Sequence, residues 1–377
     1  MKIAINCSFF NPRSGGIKEY IYNLVSNLSI LDKKNSYILY VASDCFEYAK
    51  QELPSEMLIK VTPFSSKNPI KRSILERKFF LQEEETEQFD IFHSPFFHSP
   101  RLIKSKIILT VHDLRLYRYP KTYSFLRLCF LRYAVRKSIK RCDHIIAISQ
   151  FTKDEILDVF KIEKKKVSVV HEAVNKNYFT KDEVLNYDNP LLSIFQNKRF
   201  LLTVGHLEPR KNYERLLMAF EQLKKDKTND DLKLVVVGKT AHSTKKVLDM
   251  INSNPDVHYL DFVEHKLLIW LYLNANLFVF PSIYEGFGFP PLEAATLNVV
   301  STVSNCSSIP EVCGDSAFYF NPFDVNSISE VIDVALNDRS AYKDKQLKLD
   351  SNLNRFSWIK NASDTLNLYN KLKHNSI

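Results

Sequence analysis

Short, uninterrupted apolar runs alternate along the chain with longer stretches in which apolar side chains recur every three or four positions. The first pattern predicts strands buried on both faces, the second amphipathic helices. Residues 1–6 read as a strand, followed by a loop from Ser8 to Gly16 and a helix facing inward with Tyr20, Ile21, Leu24 and Leu28. Tyr37–Ala42 and Met57–Thr62 give the next strands. Asn68, as an N-cap before Pro69, opens a charged helix to about Gln88, with Lys71 and Arg72 near its start and Glu83, Glu84 and Glu85 near its end. Asp90–Phe92 and Ile107–Val111 are strands leading into His93-Ser94-Pro95 and His112-Asp113. A basic helix covers 124–142, Asp143–Ile148 is a strand, Ser149 caps the helix after it, and Val167–Val170 closes the half.

The mixed polar stretch 175–195 reads as a linker, after which the alternation restarts. Strands are predicted at Phe200–Val204, Leu232–Val237, Val257–Leu260, Leu277–Phe280 and Val299–Val303. Helices are predicted at Tyr213–Lys225, Thr244–Asn252 and His265–Asn274, and from Ser327 and Trp358. Alternating β and α in both halves implies an α/β protein with two doubly wound parallel-sheet (Rossmann-like) domains facing a central cleft. The expected domains are 1–180 and 195–356, with a C-terminal helix of about 357–377 packing back on the first. Ligands of such sheets bind beyond the carboxyl ends of the strands.

Glycine sharpens that expectation. The chain has only seven, at positions 15, 16, 205, 238, 286, 288 and 314, and most follow a strand-like run. A sequence this poor in glycine is expected to keep it where φ is positive or backbones approach closely. Charge is equally uneven: residues 1–190 hold 31 Lys/Arg against 22 Asp/Glu, whereas 191–377 hold 21 of each. Within 101–150 the count is 12 against 2. The six cysteines form no CxxC, as expected of a reduced cytoplasmic protein, and no apolar run reaches the roughly 18 residues of a membrane span.

The chemistry concentrates in two loops. After Leu277–Phe280, a turn with Gly286 and Gly288 leads to Pro290-Pro291, which suit the first turn of a helix. Glu285 and Glu293 bracket it with seven residues between them, Glu285 in the loop and Glu293 expected in the first helical turn. Spacing alone leaves open whether these are ordinary surface acids or two groups facing one ligand. Gly205-His206-Leu207-Glu208-Pro209-Arg210-Lys211-Asn212 follows the first strand of the second half. An Arg-Lys pair is most often solvated surface, but beside a helix start it suits a diphosphate. No G-x-x-x-x-G-K-[ST] loop, no G-x-G-x-x-G and no D-x-D occurs, so NTPase, dehydrogenase and metal-clamped readings are weak. Fixed cationic loops are then expected to neutralise a leaving group.

Tyr284-Glu-Gly-Phe-Gly-Phe-Pro-Pro-Leu-Glu293, Gly205-x4-Arg210-Lys211-Asn212, Val111-His112-Asp113 and Ser307-Ser-Ile-Pro-Glu-Val312 together resemble family 4 of the retaining GT-B glycosyltransferases, in family order over about residues 1–370. The resemblance implies that Glu293 binds the ribose of a nucleotide-diphosphate sugar. It implies that Glu285 orients the donor sugar, with backbone N–H groups of Gly286, Phe287, Gly288 and Phe289. Arg210 and Lys211, after Gly205, match the diphosphate binders; Gly16 matches a small residue that admits the donor phosphates. His112 resembles the histidine that meets the donor sugar near the reacting carbon. Catalytic roles thus fall to His112, Glu285, Arg210 and Lys211, with no cofactor and no metal expected. Transfer with retention, by front-side departure of the nucleotide diphosphate, needs no protein nucleophile, so the two acids are not a glycosidase pair. GDP-mannose is the expected donor and a glycan or polyprenyl-diphosphate-linked molecule the acceptor. Truncating Lys211 to alanine is expected to spare the fold while removing most of the rate.

The sequence departs from the family pattern at His206, where many relatives carry arginine, at 294–298, and at His171-Glu172-Ala173-Val174-Asn175, which replaces Asn-Gly-Val-Asp. His93 and His98, in the repeated His-Ser-Pro, read as loop packing in preference to lining the cleft. The helix at 124–142 carries Leu128, Leu131, Val135 and Ile139 at helical spacing, flanked by Arg127, Arg132, Arg136, Lys137, Lys140 and Arg141. It is either a domain helix with a solvated basic face or a contact for an anionic membrane surface at the cytosolic side. No nucleic-acid module is evident. A non-catalytic sugar-binding scaffold and a nucleotide-sugar epimerase on the same fold remain the alternatives.

Overall fold

The computed structural model describes residues 1–12, 15–67, 69–184, 187, 189, 192–195, 198–241 and 244–374. The chain divides into two compact units, one of residues 1–173 with 356–377, the other of 174–355. The first is built on seven parallel strands: β1 (Lys2–Asn6), β2 (Ser36–Ala42), β3 (Leu58–Thr62), β4 (Ile91–Ser94), β5 (Lys106–Val111), β6 (His144–Ala147) and β7 (Val167–Val169). Their order is β3-β2-β1-β4-β5-β6-β7. The second unit has six: β8 (Phe200–Val204), β9 (Lys233–Val237), β10 (Val257–Leu260), β11 (Leu277–Phe280), β12 (Ser301–Ser304) and β13 (Ala317–Phe320), in the order β10-β9-β8-β11-β12-β13. Every pairing is parallel, and each unit reverses its strand order once, between β1 and β4 and between β8 and β11.

The uninterrupted apolar runs are the central strands. Leu277, Phe278, Val279 and Phe280 are all buried, as parallel strands covered on both faces require. Phe278 and Phe280 join Phe200, Leu202, Val235, Val237 and Tyr272 in the core of the second unit.

Several boundaries differ from the sequence reading. The stretch 175–195 is no linker: the chain passes between units at Ala173–Val174, and Phe179 and Phe195 are buried in the second unit's core. Polar composition hid these two anchors. β13 and the helix Phe46–Glu52 have no counterpart in the reading; each is short and takes its place from neighbours. Asn68, read as an N-cap, lies outside the described residues, although the helix Pro69–Glu87 follows it. Ser149 does cap its helix, accepting from the Thr152 N–H at 3.0 Å.

The C-terminal helix Trp358–Lys373 belongs to the first unit. Its Tyr369 hydroxyl lies 2.6 Å from His93 Nδ1, the Trp358 ring meets Tyr20 edge-on, and Asn361 donates to the His171 carbonyl. His93 is therefore a buried strand residue, with Nε2 2.8 Å from Thr110 Oγ1. Burial pushes its pKa down to about 3, so it stays neutral.

Candidate functional site

The reversal of strand order between β8 and β11 is where a doubly wound sheet opens a crevice at its carboxyl edge. The two chemically marked loops leave the sheet at these two strands. From β8, Gly205 (φ +153°) turns the chain, and a Cβ there would lie 3.3 Å from Lys211 Cε and Nζ and 3.2 Å from the Tyr213 hydroxyl. Only glycine lets Lys211 fold back over the strand end. A single 3-10 turn, Pro209–Lys211, carries both cations; Asn212, in the left-handed conformation, ends it before the helix Tyr213–Leu223.

From β11, the loop brings Glu285 between those cations. Its Oε2 accepts from Arg210 Nη1 at 2.8 Å and its Oε1 from Lys211 Nζ at 2.6 Å. Arg210 also donates to Glu208 Oε2 and to the Tyr284 carbonyl, and its own carbonyl accepts from the Ile283 N–H. Burial alone would raise the Glu285 carboxyl, but Lys211 and Arg210 override it and hold the pKa down to about 2. Lys211 is 7% exposed, and burial lowers its pKa against the pull of Glu285. Its ammonium also sits 4.8 Å from the centre of the Phe280 ring. The two cations and two acids sum to no net charge, so the donors are held in place by carboxylates. His206, on the same turn, is held below the usual imidazole range by burial of its ring and by nearby Lys211, Arg210 and Lys239.

This geometry corrects the expectation for Lys211. Removing a buried ammonium strands part of a buried carboxylate's compensation, which destabilises by roughly 3–5 kcal/mol. Truncation there therefore tests stability as well as rate.

Gly288 (φ +106°) is the N-cap of the helix Phe289–Thr296, with Pro290 and Pro291 in its first turn. Because the helix starts at Phe289, Glu293 falls one residue beyond the first turn, which holds no acid. Its Oε2 accepts from the buried Tyr272 hydroxyl at 3.0 Å. Two serines from the loop after β12 pin the Glu285 segment: the Glu285 N–H donates to Ser307 Oγ at 3.1 Å, and Ser308 Oγ donates to the Phe287 carbonyl at 2.8 Å. Nothing in the Ser307–Val312 motif by itself assigns this job to Ser307 and Ser308; two adjacent hydroxyls before a Pro-containing helix are the available signal.

In the first unit, His112 follows β5, with ring nitrogens 2.9 Å from Glu172 Oε1 and 2.9 Å from the Pro95 carbonyl oxygen. Burial works against a charged ring, but Glu172 and the Pro95 carbonyl outweigh it and raise the pKa above the ordinary imidazole value. Gly16 is the first residue of the helix Gly16–Leu31, capped by Gly15. A Cβ at either glycine would meet nothing within 4 Å. This departs from the expected pattern, because neither close packing nor positive φ requires glycine at these two positions. Among the described residues no group of three or more His, Cys, Asp or Glu side chains is arranged to hold a metal ion, and no helix is long and apolar enough to cross a membrane.

Residues 14–178 match the family model described as Glycosyltransferase Family 4, and residues 190–372 that described as Glycosyl transferases group 1. O-antigen chain mannosyltransferase B of Escherichia coli is 29% identical over 289 residues, covering 75% of this chain and 74% of that protein. O-antigen chain mannosyltransferase RfbU of Salmonella typhimurium is 31% identical over 237 residues, a match spanning 62% of each. The crystal structure of a glycosyltransferase from Rickettsia africae superposes with a TM-score of 0.72 at 19% identity, over 99% of this chain and 98% of that one, a likeness of fold. Matched in order along both halves, with two doubly wound sheets and a cationic knot at the strand reversal of the second, the chain belongs to the family 4 glycosyltransferases of the GT-B fold.

Proposed function

We propose that this glycosyltransferase moves mannose from GDP-mannose to a glycan or polyprenyl-diphosphate-linked acceptor, with retention and without a metal ion. The observation that carries the reading is the knot of Arg210, Lys211 and Glu285 at the β8–β11 reversal. A donor diphosphate takes over N–H donors of Arg210 and Lys211, and the N-terminus of the helix Phe289–Thr296 adds its positive dipole end. Glu285, with the backbone amides of Gly286 to Phe289, then orients the sugar hydroxyls. Glu293 accepts from the ribose, steadied by Tyr272. Gly16, which the resemblance expects to admit the donor phosphates, has nothing within 4 Å inside the first unit that requires glycine. As the anomeric carbon–oxygen bond to the diphosphate breaks, the acceptor oxygen bonds to that carbon from the same face and its proton passes to the departing phosphate oxygen. Charge developing on the leaving group is met by cations already in place.

The mannose assignment is supported by the two O-antigen chain mannosyltransferases among the relatives. The basic helix, Phe125–Arg141, supports an acceptor held at an anionic membrane surface. It buries Leu128, Val135 and Ile139 yet leaves Phe125 77%, Leu126 81% and Tyr133 63% exposed beside its arginines and lysines.

Thermal-shift measurement against GDP-, UDP-, ADP- and dTDP-sugars tests the donor. At about 100 times its Kd a ligand of the folded state adds about 2.7 kcal/mol of stability, and GDP-mannose is expected to give the largest rise in Tm. A larger rise with another base overturns the donor assignment, and no rise with any of them overturns the transferase chemistry in favour of a scaffold.

A further inference from the structure

Both ring nitrogens of His112 face oxygen acceptors. Nε2 lies 2.9 Å from the Pro95 carbonyl oxygen, which can only accept, so Nε2 carries a proton. Nδ1 lies 2.9 Å from Glu172 Oε1, and Glu172 is 1% exposed. A carboxylate oxygen that deep is satisfied by a hydrogen-bond donor, and the Nδ1–H of a doubly protonated ring is that donor. With both nitrogens donating, the ring has no lone pair free for a third group.

The other groups around the ring do not change this. Tyr20 packs against it edge-to-face, with ring centres 5.0 Å apart, and its hydroxyl lies 3.0 Å from Thr110 Oγ1. Asp113, next in the chain, favours the charged ring, and His93 on β4 is held neutral by burial and by the charge on His112. Glu172 lies in the stretch where this chain departs from Asn-Gly-Val-Asp, sixty residues beyond His112.

We propose that Glu172 is a positioning residue for the transfer reaction: it clamps His112 with both ring nitrogens occupied, so that the histidine meets a ligand as a fixed polar group and not as a proton acceptor. The role in transfer rests on the donor-side reading of His112 given above. The acceptor's hydroxyl proton then has the departing diphosphate oxygen as its destination, not this ring.

Nitrogen-15 NMR of the histidine rings tests the clamp without any assay of activity. In the wild-type chain His112 should show both nitrogens protonated at about pH 7. Glu172→Gln keeps the size and can donate to Nδ1, so the ring should become neutral and its pKa fall. The transfer rate should fall about tenfold or more with an altered pH profile, while the thermal shift with nucleotide sugar is kept. Glu172→Asp retains the charge and should retain the protonated ring. A wild-type ring with one unprotonated, uncoupled nitrogen at that pH overturns the clamp. A Glu172→Gln chain with unchanged rate and pH profile overturns its role in transfer. If no nucleotide sugar shifts the Tm, the donor reading fails by itself and the NMR result still decides the clamp.

Discussion

Glu285 answers to two cations at once, and that doubles what a single substitution reports. Replacing it by glutamine removes one negative charge and leaves Arg210 and Lys211 with donors to spare. If the carboxylate orients the sugar, Glu285→Gln should cut the transfer rate by roughly 10²–10³, the scale of losing one group aimed at the transition state, while calorimetry finds GDP bound as tightly as before or tighter. GDP binding that weakens in step with the rate would make Glu285 an organiser of the phosphate site alone. The pH dependence follows from the same contacts. The folded-state pKa is depressed from 4.5 to about 2, so the stability these contacts supply is complete above the unfolded value and is lost as pH falls from there toward about 2. His112 runs the other way: its pKa is raised, so its contribution is complete below the unfolded imidazole value and is lost as pH climbs through the folded one. The sequence puts Glu285, Arg210 and Lys211 forward as candidates, because glycine, proline and paired charges have fixed local meanings, and His112 through the family resemblance alone. Their pairings were not legible there. Arg210 meets Glu285 across 75 positions and His112 meets Glu172 across 60, distances at which no periodicity speaks.

Among the elements, those read correctly are those whose own sequence decides them. Leu277–Phe280 is wholly apolar and is a central strand. The helix from Gln150 announces itself by Ser149, whose hydroxyl caps it. β13 and the misread linker show the opposite case. Ala317-Phe-Tyr-Phe320 is a strand because β12 offers it a parallel edge, and Phe179 and Phe195 are core residues because the second unit closes over them. The basic helix divides in the same way. Its buried stripe of Leu128, Val135 and Ile139 follows from helical spacing, but the exposure of Phe125, Leu126 and Tyr133 depends on what the fold leaves uncovered. Exposed apolar side chains beside a dense basic face bind an anionic surface through both terms. Co-sedimentation should therefore be stronger with anionic than with neutral vesicles, should weaken with salt, and should fall when Phe125 and Leu126 are both replaced by serine. Equal sedimentation with neutral and anionic vesicles would remove the charge-driven contact.

At the scale of the whole molecule, the chain crosses between its units twice, at Ala173–Val174 and at Arg355–Phe356, so the first unit is finished by the last segment of the sequence. The join is chemically specific. Tyr369 supplies a hydroxyl 2.6 Å from His93 Nδ1, and the other ring nitrogen is already engaged with Thr110, which in turn lies 3.0 Å from the Tyr20 hydroxyl. This buried polar chain ties the C-terminal helix to β4, β5 and the helix Gly16–Leu31, and His93 is neutral throughout. Tyr369→Phe keeps the ring in place and removes only the hydroxyl, leaving a buried imidazole nitrogen without its partner. Such a loss costs about 1–3 kcal/mol, and it should fall on one unit. Hydrogen exchange should accelerate in β4, β5 and the helix Trp358–Lys373 while the strands β8 to β13 keep wild-type protection. Loss of protection spread equally over both units would mean that they unfold as one cooperative body, and the late helix would then be guarding the whole chain and not the first sheet alone.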